Sequence, residues 1–373
     1  MTDSTINLGI VGAGGRGAFC KASCDAIDDV SIHAVCDINE ESLSVAREQL
    51  GAREQYAGYE EMLEKSDLHA VIIGTPMALH VQQSIAALER GIHVLSEVPA
   101  GISVEECKTL VEACAGAKGL YMMAENYTYM RPNVIVKELV AQGLFGTPYY
   151  AEGEYLHELK HMNEYDTPWR RHWQTGIDGI TYGTHSLGPI LQWMPGDRVV
   201  RVCCEGTGVR HADHTGKPYC QASSTMLCKT EKEALIKIRV DMVSDRPHAG
   251  TNFQLQGVDG CYESARGGPG DTNKIWLRDR SPDALRWMNL DDLVDEFLPD
   301  FWKEGMEIAN SVGHGGGDYF EILDFIDAIT GKRPCPVGIH KAMDMTLPGL
   351  ISQQSIAEGG RWIDVPDSMD WIK

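Results

Sequence analysis

Residues 6–17 read INLGIVGAGGRG, a largely apolar run that leads directly into a glycine-rich turn. The turn has the spacing G-x-G-x-x-G between Gly12 and Gly17, and a helical pattern follows it. Glycines at these positions permit a tight turn and let the backbone approach a pyrophosphate at the N-terminus of the helix. The stretch therefore predicts the first strand, turn and helix of a dinucleotide-binding domain.

The same alternation of strand and helix continues over the first third of the chain. Four more apolar runs are predicted to be buried strands, at 31–36, 69–74, 93–97 and 120–125. The amphipathic stretches between them predict helices, at about 16–27, 40–50, 79–90 and 104–117. Alternation at this spacing is typical of a doubly wound parallel sheet with right-handed crossovers. We therefore expect an N-terminal Rossmann domain over residues 1–126.

The pattern changes after a further helical segment at 134–142. Six stretches beyond it are rich in strand-forming residues with few helices between them, which indicates a mainly antiparallel sheet. The predicted fold class is α/β, in which an α+β domain with a mainly antiparallel open sheet, at 127–373, follows the Rossmann domain. A late helix, at about 341–358, is expected to pack back on the first domain.

Length and charge limit the partners to be expected. The chain has 373 residues, enough for two domains, and 33 Lys and Arg against 54 Asp and Glu give a formal net charge of −21. An acidic balance of this size disfavours phosphate backbones and anionic membranes, so neither nucleic acid nor a membrane is an expected partner. Eleven cysteines without a CxxC pair indicate reduced thiols and no metal site. The N-terminus has no basic stretch before its first apolar run, which favours a cytoplasmic protein.

An acidic residue stands where a dinucleotide site needs one. Asp37 ends the second predicted strand, 23 residues beyond Gly14. A carboxylate there accepts hydrogen bonds from the adenosine ribose and repels a 2′-phosphate, so the expected cofactor is NAD rather than NADP. The alternative is an acid between strand and turn that has no ligand.

Polar side chains also follow three later strands of the predicted parallel sheet. Thr75 and Pro76 follow one strand with His80 close behind, Glu97 and Val98 follow the next, and Asn126 and Tyr127 follow the last. Open α/β sheets bind their ligands at the carboxyl ends of the strands, so we expect these residues to line the cofactor. His80 carries the weaker signal, because it can also pack on its own helix.

The second domain contains three stretches with functional side chains. Tyr155 and His157 alternate along a strand and share a face. Residues 169–173 combine aromatic and cationic side chains, which suit either a sugar face or helix packing. Tyr182 and His185 are three apart, so they can share one helical turn and converge on a substrate, or His185 can be a core histidine bonded to a carbonyl. In residues 314–319, HGGGDY, Asp318 is expected to cap a helix, and the glycines suit either a ligand or a hinge.

Taken together, the glycine turn, the Gly-Thr-Pro run and the E-x-P at Glu97 resemble the glucose–fructose oxidoreductase/inositol dehydrogenase (Gfo/Idh/MocA) family over essentially the whole chain. Dehydrogenases of that family usually carry E-K-P, whose lysine assists proton removal from the hydroxyl being oxidised. Here Val98 occupies the position of that lysine, and Thr181 occupies the position of the usual aspartate four residues before the histidine.

These departures resemble a narrower branch, the NAD-dependent glycosidases of glycoside hydrolase family 109, whose known members include α-N-acetylgalactosaminidases. The matching motifs are Glu97-Val98-Pro99-Ala100, Glu125-Asn126-x-x-Tyr129, Tyr155-x-His157, Tyr182-x-Thr184-His185-x-Leu187-Gly188-Pro189 and His314-Gly315-Gly316-x-Asp318. Gly183 departs from the branch, which usually has proline there. The resemblance implies redox-neutral hydrolysis through transient oxidation at C3 of the sugar, elimination across C1 and C2, water addition and re-reduction, with retained configuration.

The resemblance also implies roles for individual residues. His185 would move the proton of the C3 hydroxyl, and Tyr127 or Tyr182 would act as the C2 base or handle the leaving group, although a free phenol needs activation for this. The implied cofactor residues are Gly12, Gly14, Gly15, Arg16, Gly17, Asp37, Thr75, Pro76, His80, Glu97, Val98, Asn126 and Arg170. The implied substrate residues are Tyr155, His157, Arg171, Tyr182, Thr184 and His185. Arg171 is the alternative to Arg170 for contact with the sugar or the cofactor, if the local register shifts by one residue.

Two other functions are compatible with the same residues. An NAD-dependent sugar or polyol dehydrogenase, or an oxidoreductase that forms 3-keto-glycosides, would release NADH. A cofactor-binding sensor would have no catalysis at all. For any of the three, the family resemblance implies a homodimer or homotetramer that forms through the C-terminal sheet.

Overall fold

The computed structural model describes residues 5–372, which form two compact units. The first unit contains the chain up to Asn126, the segment Glu304–Met343 and the C-terminal residues from Ser368. The second contains Tyr127–Lys303 and Asp344–Asp367. The first unit also includes residues 304–343, whose return to it the strand and helix patterns do not show. The limit of the Rossmann domain at residue 126 stays a prediction.

Fifteen strands are present in the described residues. In chain order they are β1 (Ile6–Val11), β2 (Val30–Cys36), β3 (Glu54–Tyr56), β4 (Ala70–Ile73), β5 (His93–Glu97), β6 (Tyr121–Ala124), β7 (Pro148–Leu156), β8 (Val199–Gly206), β9 (Ser224–Thr230), β10 (Leu235–Asp241), β11 (Ala249–Gly257), β12 (Gly260–Glu263), β13 (Lys274–Leu277), β14 (Met288–Asn289) and β15 (Ile363–Asp364).

Thirteen α-helices accompany these strands in residues 5–372. They are α1 (Lys21–Asp25), α2 (Glu40–Leu50), α3 (Tyr59–Lys65), α4 (His80–Glu89), α5 (Val104–Gly116), α6 (Arg131–Ala141), α7 (Arg171–Gln174), α8 (Thr184–Trp193), α9 (Val294–Phe297), α10 (Asp300–Glu304), α11 (Met306–Ala309), α12 (Gly317–Ile329) and α13 (Ile339–Ala357). None of them is both long and apolar enough to cross a membrane.

The first unit is built on a six-stranded parallel sheet in the order β3-β2-β1-β4-β5-β6. Strand β4 is buried along its whole length, as expected for a strand covered on both faces. The order reverses between β1 and β4, so the turns after these two strands lie side by side at the edge where ligands bind. A Cβ on Gly74 would lie 2.5 Å from the backbone nitrogen of Gly17, so the two turns meet too closely for any side chain.

The second unit is built on a nine-stranded sheet in the order β14-β13-β12-β11-β7-β10-β9-β8-β15. Strands β7 and β10 are parallel, and the other neighbouring pairs are antiparallel. Helix α8 packs on this sheet, where Trp193 contacts Phe253 and Tyr262 with ring centroids 5.5 and 5.8 Å apart. A Cβ on Gly153 of β7 would lie 3.0 Å from Ser186 of the helix, so glycine allows the close approach.

The predicted fold class is confirmed, with a parallel Rossmann sheet and a mainly antiparallel second sheet. Helix α8 was not predicted as a full helix because Gly188 and Pro189 lie inside it. One of the six stretches predicted as strands in the second domain, 251–264, falls on two strands, β11 and β12, and the short edge strand β3 was not predicted. Helix α13 covers nearly all of the predicted late helix, and its residues up to Met343 belong to the first unit and those from Asp344 to the second. The packing of this helix on the Rossmann domain stays a prediction.

Candidate functional site

The glycine turn after β1 has one position, Gly15, at which no neighbouring atom crowds the backbone. Gly12 has φ +77°, and a Cβ there would lie 2.7 Å from the carbonyl oxygen of Gly74. A Cβ on Gly17 would lie 2.9 Å from the carbonyl oxygen of Gly12. A Cβ on Gly15, in contrast, would meet nothing closer than 3.9 Å. The turn is therefore closely packed at its ends and open at Gly15, which is the shape that a pyrophosphate requires.

Asp37, at the end of β2, is held against this turn. Its Oδ2 accepts from the backbone N–H of Gly14 at 2.8 Å, and its Oδ1 accepts from the N–H of Asn39 at 2.9 Å. A Cβ on Gly14 would lie 2.6 Å from Cβ of Ser42 and 3.0 Å from the Asp37 carboxylate. The structure thus brings a fixed negative charge to the glycine turn, where a 2′-phosphate would be repelled.

Arg16 does not extend a free guanidinium from the turn. Its Nε donates to Glu97 Oε1 at 2.7 Å, and Nη2 and Nη1 donate to the two oxygens of Asp318 at 2.8 and 3.2 Å. Its guanidinium carbon also lies 3.9 Å from the ring centroid of Phe19. Burial lowers the pKa of Arg16, but the neighbouring carboxylates outweigh it and hold the pKa above its usual range. Arg16 is a charged link between the glycine turn, the end of β5 and the start of α12.

Asp318 has a different role from the helix cap predicted for it. The cap residue of α12 is Gly316, and no side-chain cap hydrogen bond forms there. Asp318 instead accepts from Asn126 Nδ2 at 2.9 Å, and the ring nitrogen Nδ1 of His314 lies 3.0 Å from both its oxygens, beside the bonds from Arg16. Sequence reasoning missed this group because Arg16 and Asp318 are 302 residues apart.

The other predicted cofactor residues lie around the same sheet edge. His80 is buried, with Nδ1 3.0 Å from the carbonyl oxygen of Pro99 and Nε2 2.9 Å from that of Thr75. It ties the two loops together, and a direct contact with a cofactor stays a prediction. The Thr75 hydroxyl donates to Gln83 at 2.6 Å, Pro76 precedes the turn Met77–Leu79, and Val98 is buried directly after β5.

In the second unit, three tyrosines and a histidine converge. The ring centroid of Tyr127 lies 4.3 Å from that of His185, in a stacked arrangement. Tyr155 lies 5.2 Å from Tyr182 and 5.8 Å from His185, and Tyr182 lies 5.1 Å from His185. The four predicted residues therefore form one cluster, which we call the Tyr–His cluster.

The start of α8 presents the histidine of this cluster. Thr184 begins the helix and His185 follows it, and both are nearly fully buried. A Cβ on Gly183 would lie 2.5 Å from Cγ2 of Ile180, so the chain turns tightly there. The hydroxyl of Thr184 is buried and has no hydrogen-bond partner within residues 5–372. It is a donor and acceptor available to a bound molecule.

A pair of histidines, His157 and His248, adjoins the Tyr–His cluster. The hydroxyl of Tyr155 lies 3.0 Å from Nδ1 of His157, and the ring of His157 meets that of His248 edge-on at 4.0 Å. Burial, and then the charge of His248, lower the pKa of His157 to about 4. His157 is therefore neutral at pH 7 and can accept a hydrogen bond.

Sequence reasoning missed His248, which lies in the loop between β10 and β11 and belongs to none of the motifs recognised in the sequence. Asp241 shapes the start of this loop, accepting from Ser244 N at 2.9 Å and from Ser244 Oγ at 2.8 Å. A Cβ on Gly250 would lie 2.7 Å from the Tyr127 hydroxyl and 2.8 Å from His248 Nε2. A glycine two residues beyond the histidine is the one local signal, since it leaves room for both groups.

The two adjacent arginines have different surroundings. Arg171 Nη1 pairs with Asp213 at 2.7 Å, and Nη2 donates to the carbonyls of Lys217 and Pro218. Arg170 lies over Trp169, 4.6 Å from the ring centroid, and its buried Nε finds no hydrogen-bond partner in the described part of the chain. Arg171 therefore anchors a turn, whereas Arg170 keeps a donor for a ligand.

Within residues 5–372, no group of three or more His, Cys, Asp or Glu side chains is arranged to hold a metal ion. All eleven cysteines are free thiols.

Two family models together match nearly the whole chain. Residues 6–125 match the oxidoreductase family with an NAD-binding Rossmann fold. Residues 129–372 match the C-terminal domain of glycosyl hydrolase 109. The boundary between the matches falls where the chain passes from the first unit to the second, and NAD is the cofactor of the matched Rossmann domain.

The chain is similar to known glycosidases and to known sugar dehydrogenases. A glycosyl hydrolase family 109 protein of Shewanella pealeana is 29% identical over 97% of this chain and 85% of its own length. An alpha-N-acetylgalactosaminidase of Shewanella oneidensis is 27% identical over 97% of this chain and 84% of its own. The solved structure of levoglucosan dehydrogenase in complex with NADH and levoglucosan superposes with a TM-score of 0.79 at 19% identity, covering 97% of this chain and all of that one. The last similarity shows the shared fold.

Proposed function

The chain belongs to glycosyl hydrolase family 109, and on this premise we propose that it is an NAD-dependent glycosidase. Its substrate would be a hexopyranoside such as an α-N-acetylgalactosaminide, hydrolysed with no net oxidation and with retained configuration. The family models that match the two parts of the chain indicate an enzyme that acts on sugars with NAD as cofactor.

The first unit has the features that NAD needs. Gly15 offers open backbone, Asp37 offers a carboxylate for the adenosine ribose, and Asn126 offers a buried Oδ1 that no described residue bonds. When bound, NAD supplies a reversible hydride acceptor for C3 of the sugar. We assign Asn126, Glu97 and Val98 to the nicotinamide ribose.

The Tyr–His cluster would carry the proton transfers. His185 takes the proton of the C3 hydroxyl during oxidation and returns it during reduction. A carbonyl at C3 acidifies the hydrogen at C2, so a modest base suffices to remove it, and the aglycone then leaves from C1. Addition of water across the same two carbons completes the hydrolysis, so the sum of the steps is glycoside plus water giving sugar plus alcohol.

The base at C2 would be one of the three tyrosines. Tyr127 and Tyr182 remain candidates, and Tyr155 joins them because its hydroxyl lies 3.0 Å from the neutral imidazole of His157. As the phenol oxygen accepts the C2 proton, its own proton can pass to Nδ1 of that ring. This arrangement activates a phenol that is otherwise a poor base at neutral pH.

The single observation that carries the proposal is the convergence of three phenols and one imidazole in the second unit. Such a set suits elimination and addition, whereas ordinary glycosidases use a pair of carboxylates to displace the leaving group. Val98 supports the same conclusion, because a buried valine cannot assist the deprotonation that a lysine performs in the related dehydrogenases.

Hydrolysis in deuterated water tests the proposal. We expect the released sugar to carry deuterium at C2, seen by NMR as loss of the C2 proton signal. A substrate deuterated at C3 should keep that label in the product. Cleavage with no exchange at C2 would indicate direct displacement, and accumulation of NADH with an oxidised sugar would indicate a dehydrogenase.

We also infer a homodimer or homotetramer that forms through the nine-stranded sheet. Tyr149 is half-exposed although it lies on β7, a central strand, so a large aromatic side chain is left at the middle of this sheet. Light scattering after size-exclusion chromatography should give a mass of two or four chains, and Tyr149→Asp should lower it, whereas a monomer would contradict the inference.

A further inference from the structure

We propose that Asp318 is a positioning residue of the cofactor site, which sets the orientation of the Asn126 amide and, through Arg16, that of the Glu97 carboxylate. The inference rests on the proposed placement of Asn126 and Glu97 at the nicotinamide ribose. All four residues belong to the first unit.

The orientation of Asn126 follows from hydrogen-bond chemistry. An ionised carboxylate can only accept, so the amide must turn its Nδ2 toward Asp318, at 2.9 Å. Its Oδ1 then faces away from Asp318, buried and without a partner in the described chain. An unsatisfied buried acceptor is costly, and a ribose hydroxyl is a donor of the right kind to satisfy it. In the described structure, Asp318 is the acceptor that favours this orientation over the flipped one.

The position of Glu97 depends on the same carboxylate through Arg16. The guanidinium is planar, and its donors form a rigid fork. Two arms of the fork bind Asp318 and the third binds Glu97 Oε1 at 2.7 Å. Fixing two arms fixes the direction of the third, so Asp318 determines where the Glu97 carboxylate is held.

The structure keeps Asp318 ionised and in place. Burial raises its pKa, but hydrogen bonds from His314 and Arg16 and their charges outweigh burial and hold the pKa well below its usual range. His314 has φ +51°, and Gly315 and Gly316 follow with φ +59° and +92°. A non-glycine residue is held in the left-handed region only when its surroundings require it, and here the ring reaches both oxygens of Asp318.

Contacts at the helix start add to this arrangement. A Cβ on Gly317 would lie 2.3 Å from the carbonyl oxygen of Asn126, so the start of α12 lies directly against the residue it orients. The hydroxyl of Ser23 donates to the carbonyl oxygen of Asp318 at 3.2 Å. Backbone and side chain of Asp318 are thus both tied to the Rossmann domain.

The matched control is Asp327, on the same helix. It is also nearly buried and also pairs with an arginine, Arg333, at 3.1 Å, but it has no contact with Asn126 or Arg16 in the described structure. Asp318→Asn and Asp327→Asn each remove one buried negative charge from α12. Only the first should change cofactor binding.

NAD⁺ affinity, measured by calorimetry without sugar, tests the inference. We expect Asp318→Asn to weaken NAD⁺ binding by roughly 10–100-fold, the usual worth of a charged hydrogen bond, while Asp327→Asn lowers the unfolding temperature and leaves affinity unchanged. Wild-type affinity in Asp318→Asn, or equal weakening in both variants, would overturn the inference.

A second variant covers the case that Asp318→Asn does not fold. Arg16→Lys keeps the charge but loses the fork, so it should weaken NAD⁺ binding at least about 10-fold, and wild-type affinity there would overturn the inference. Because the measurement needs no glycoside, failure of the proposed hydrolysis would show separately, as a wild-type protein that binds NAD⁺ but cleaves no substrate.

Discussion

The hydroxyl of Tyr155 lies 3.0 Å from Nδ1 of His157, two residues along the chain, and His157 in turn meets His248 edge-on. The pair places a neutral imidazole behind a phenol of the Tyr–His cluster. It gives one tyrosine of the cluster a proton acceptor of its own, which sequence alternation alone does not specify.

The acid limb of activity should depend on His248. Burial and the charge of His248 lower the pKa of His157 to about 4, so its acceptor nitrogen stays available down to about that pH. Removing the second ring in His248→Ala should raise this pKa toward the usual value of about 6.5 and move the acid limb of kcat/KM upward. A pH–rate profile checks this, with the exposed His172→Ala as control. An unmoved limb in His248→Ala would exclude His157 as the titrating partner.

The stability of the folded protein should also depend on the protonation of His157. Because the pKa of His157 is lowered on folding, the unfolded chain binds a proton between pH 6.5 and 4 that the folded chain does not. The contribution of His157 to the free energy of unfolding is therefore complete above about pH 6.5 and is lost as the pH falls to about 4. His157→Phe should therefore lose less stability than the wild type over this interval, measured by thermal unfolding. Parallel curves would contradict the shift.

His185 is the residue whose loss should cost most activity. Replacing a general acid–base group typically lowers the rate by roughly 10²–10⁴-fold, and we expect His185→Ala to fall in that range for glycoside cleavage. His172→Ala, which removes an exposed histidine of the same unit, is the control. A His185→Ala enzyme within a few-fold of the wild type would remove His185 from the mechanism.

Alanine substitutions at two neighbouring glycines, Gly14 and Gly15, should have different effects on NAD⁺ binding and on stability. A Cβ on Gly15 meets no atom within 3.9 Å, so Gly15→Ala should leave the unfolding temperature nearly unchanged and weaken NAD⁺ binding about 10-fold or more, by blocking the backbone approach. Gly14→Ala places its Cβ 2.6 Å from Ser42 and should also lower stability, by about 1–3 kcal/mol. Unchanged NAD⁺ affinity in Gly15→Ala would place the pyrophosphate elsewhere.

Glu321 should limit stability at high pH. Burial, followed by the charges of Asp318 and Glu97, raises its pKa well above the usual range, and neither oxygen has a hydrogen-bond partner among residues 5–372. The folded chain therefore keeps a proton that the unfolded chain releases, so this group's contribution is lost as the pH rises above about 4.3.

Glu321→Gln removes the cost of keeping this carboxyl protonated in the folded protein at neutral and higher pH. It should raise the unfolding temperature at pH 8, by about 2–4 °C per kcal/mol recovered, with the gain shrinking toward pH 5. Glu112→Gln, an exposed position on α5, is the control and should show no such trend. A gain independent of pH would mean that Glu321 is ionised in the folded protein.

Local sequence patterns were enough to predict most of the strands and helices. Short-range periodicity and turn chemistry specify the strand INLGIV and the glycine turn, and in the structure the Asp37 carboxylate accepts a hydrogen bond from this turn. Helix α8 escaped prediction because packing against the sheet, rather than helix propensity, stabilises a segment that contains Gly188 and Pro189.

Long-range pairings could not be predicted from the same patterns. Arg16 and Asp318 meet only after the chain returns to the first unit, and no periodicity links positions 302 residues apart. Similarly, a single sequence cannot distinguish Arg170 from Arg171, whose difference depends on the turn around Asp213. The family resemblance named the motif around Asp318, but the contacts of its side chain came from the structure.

The most direct test of the central claim uses a panel of α- and β-linked p-nitrophenyl glycosides, including the N-acetylgalactosaminide, with only trace NAD⁺. Nitrophenol and NADH are followed together by their absorbance. The account predicts many turnovers of nitrophenol release per cofactor with no net NADH. NADH that rises with free sugars while no nitrophenol appears would contradict it and make the protein a dehydrogenase.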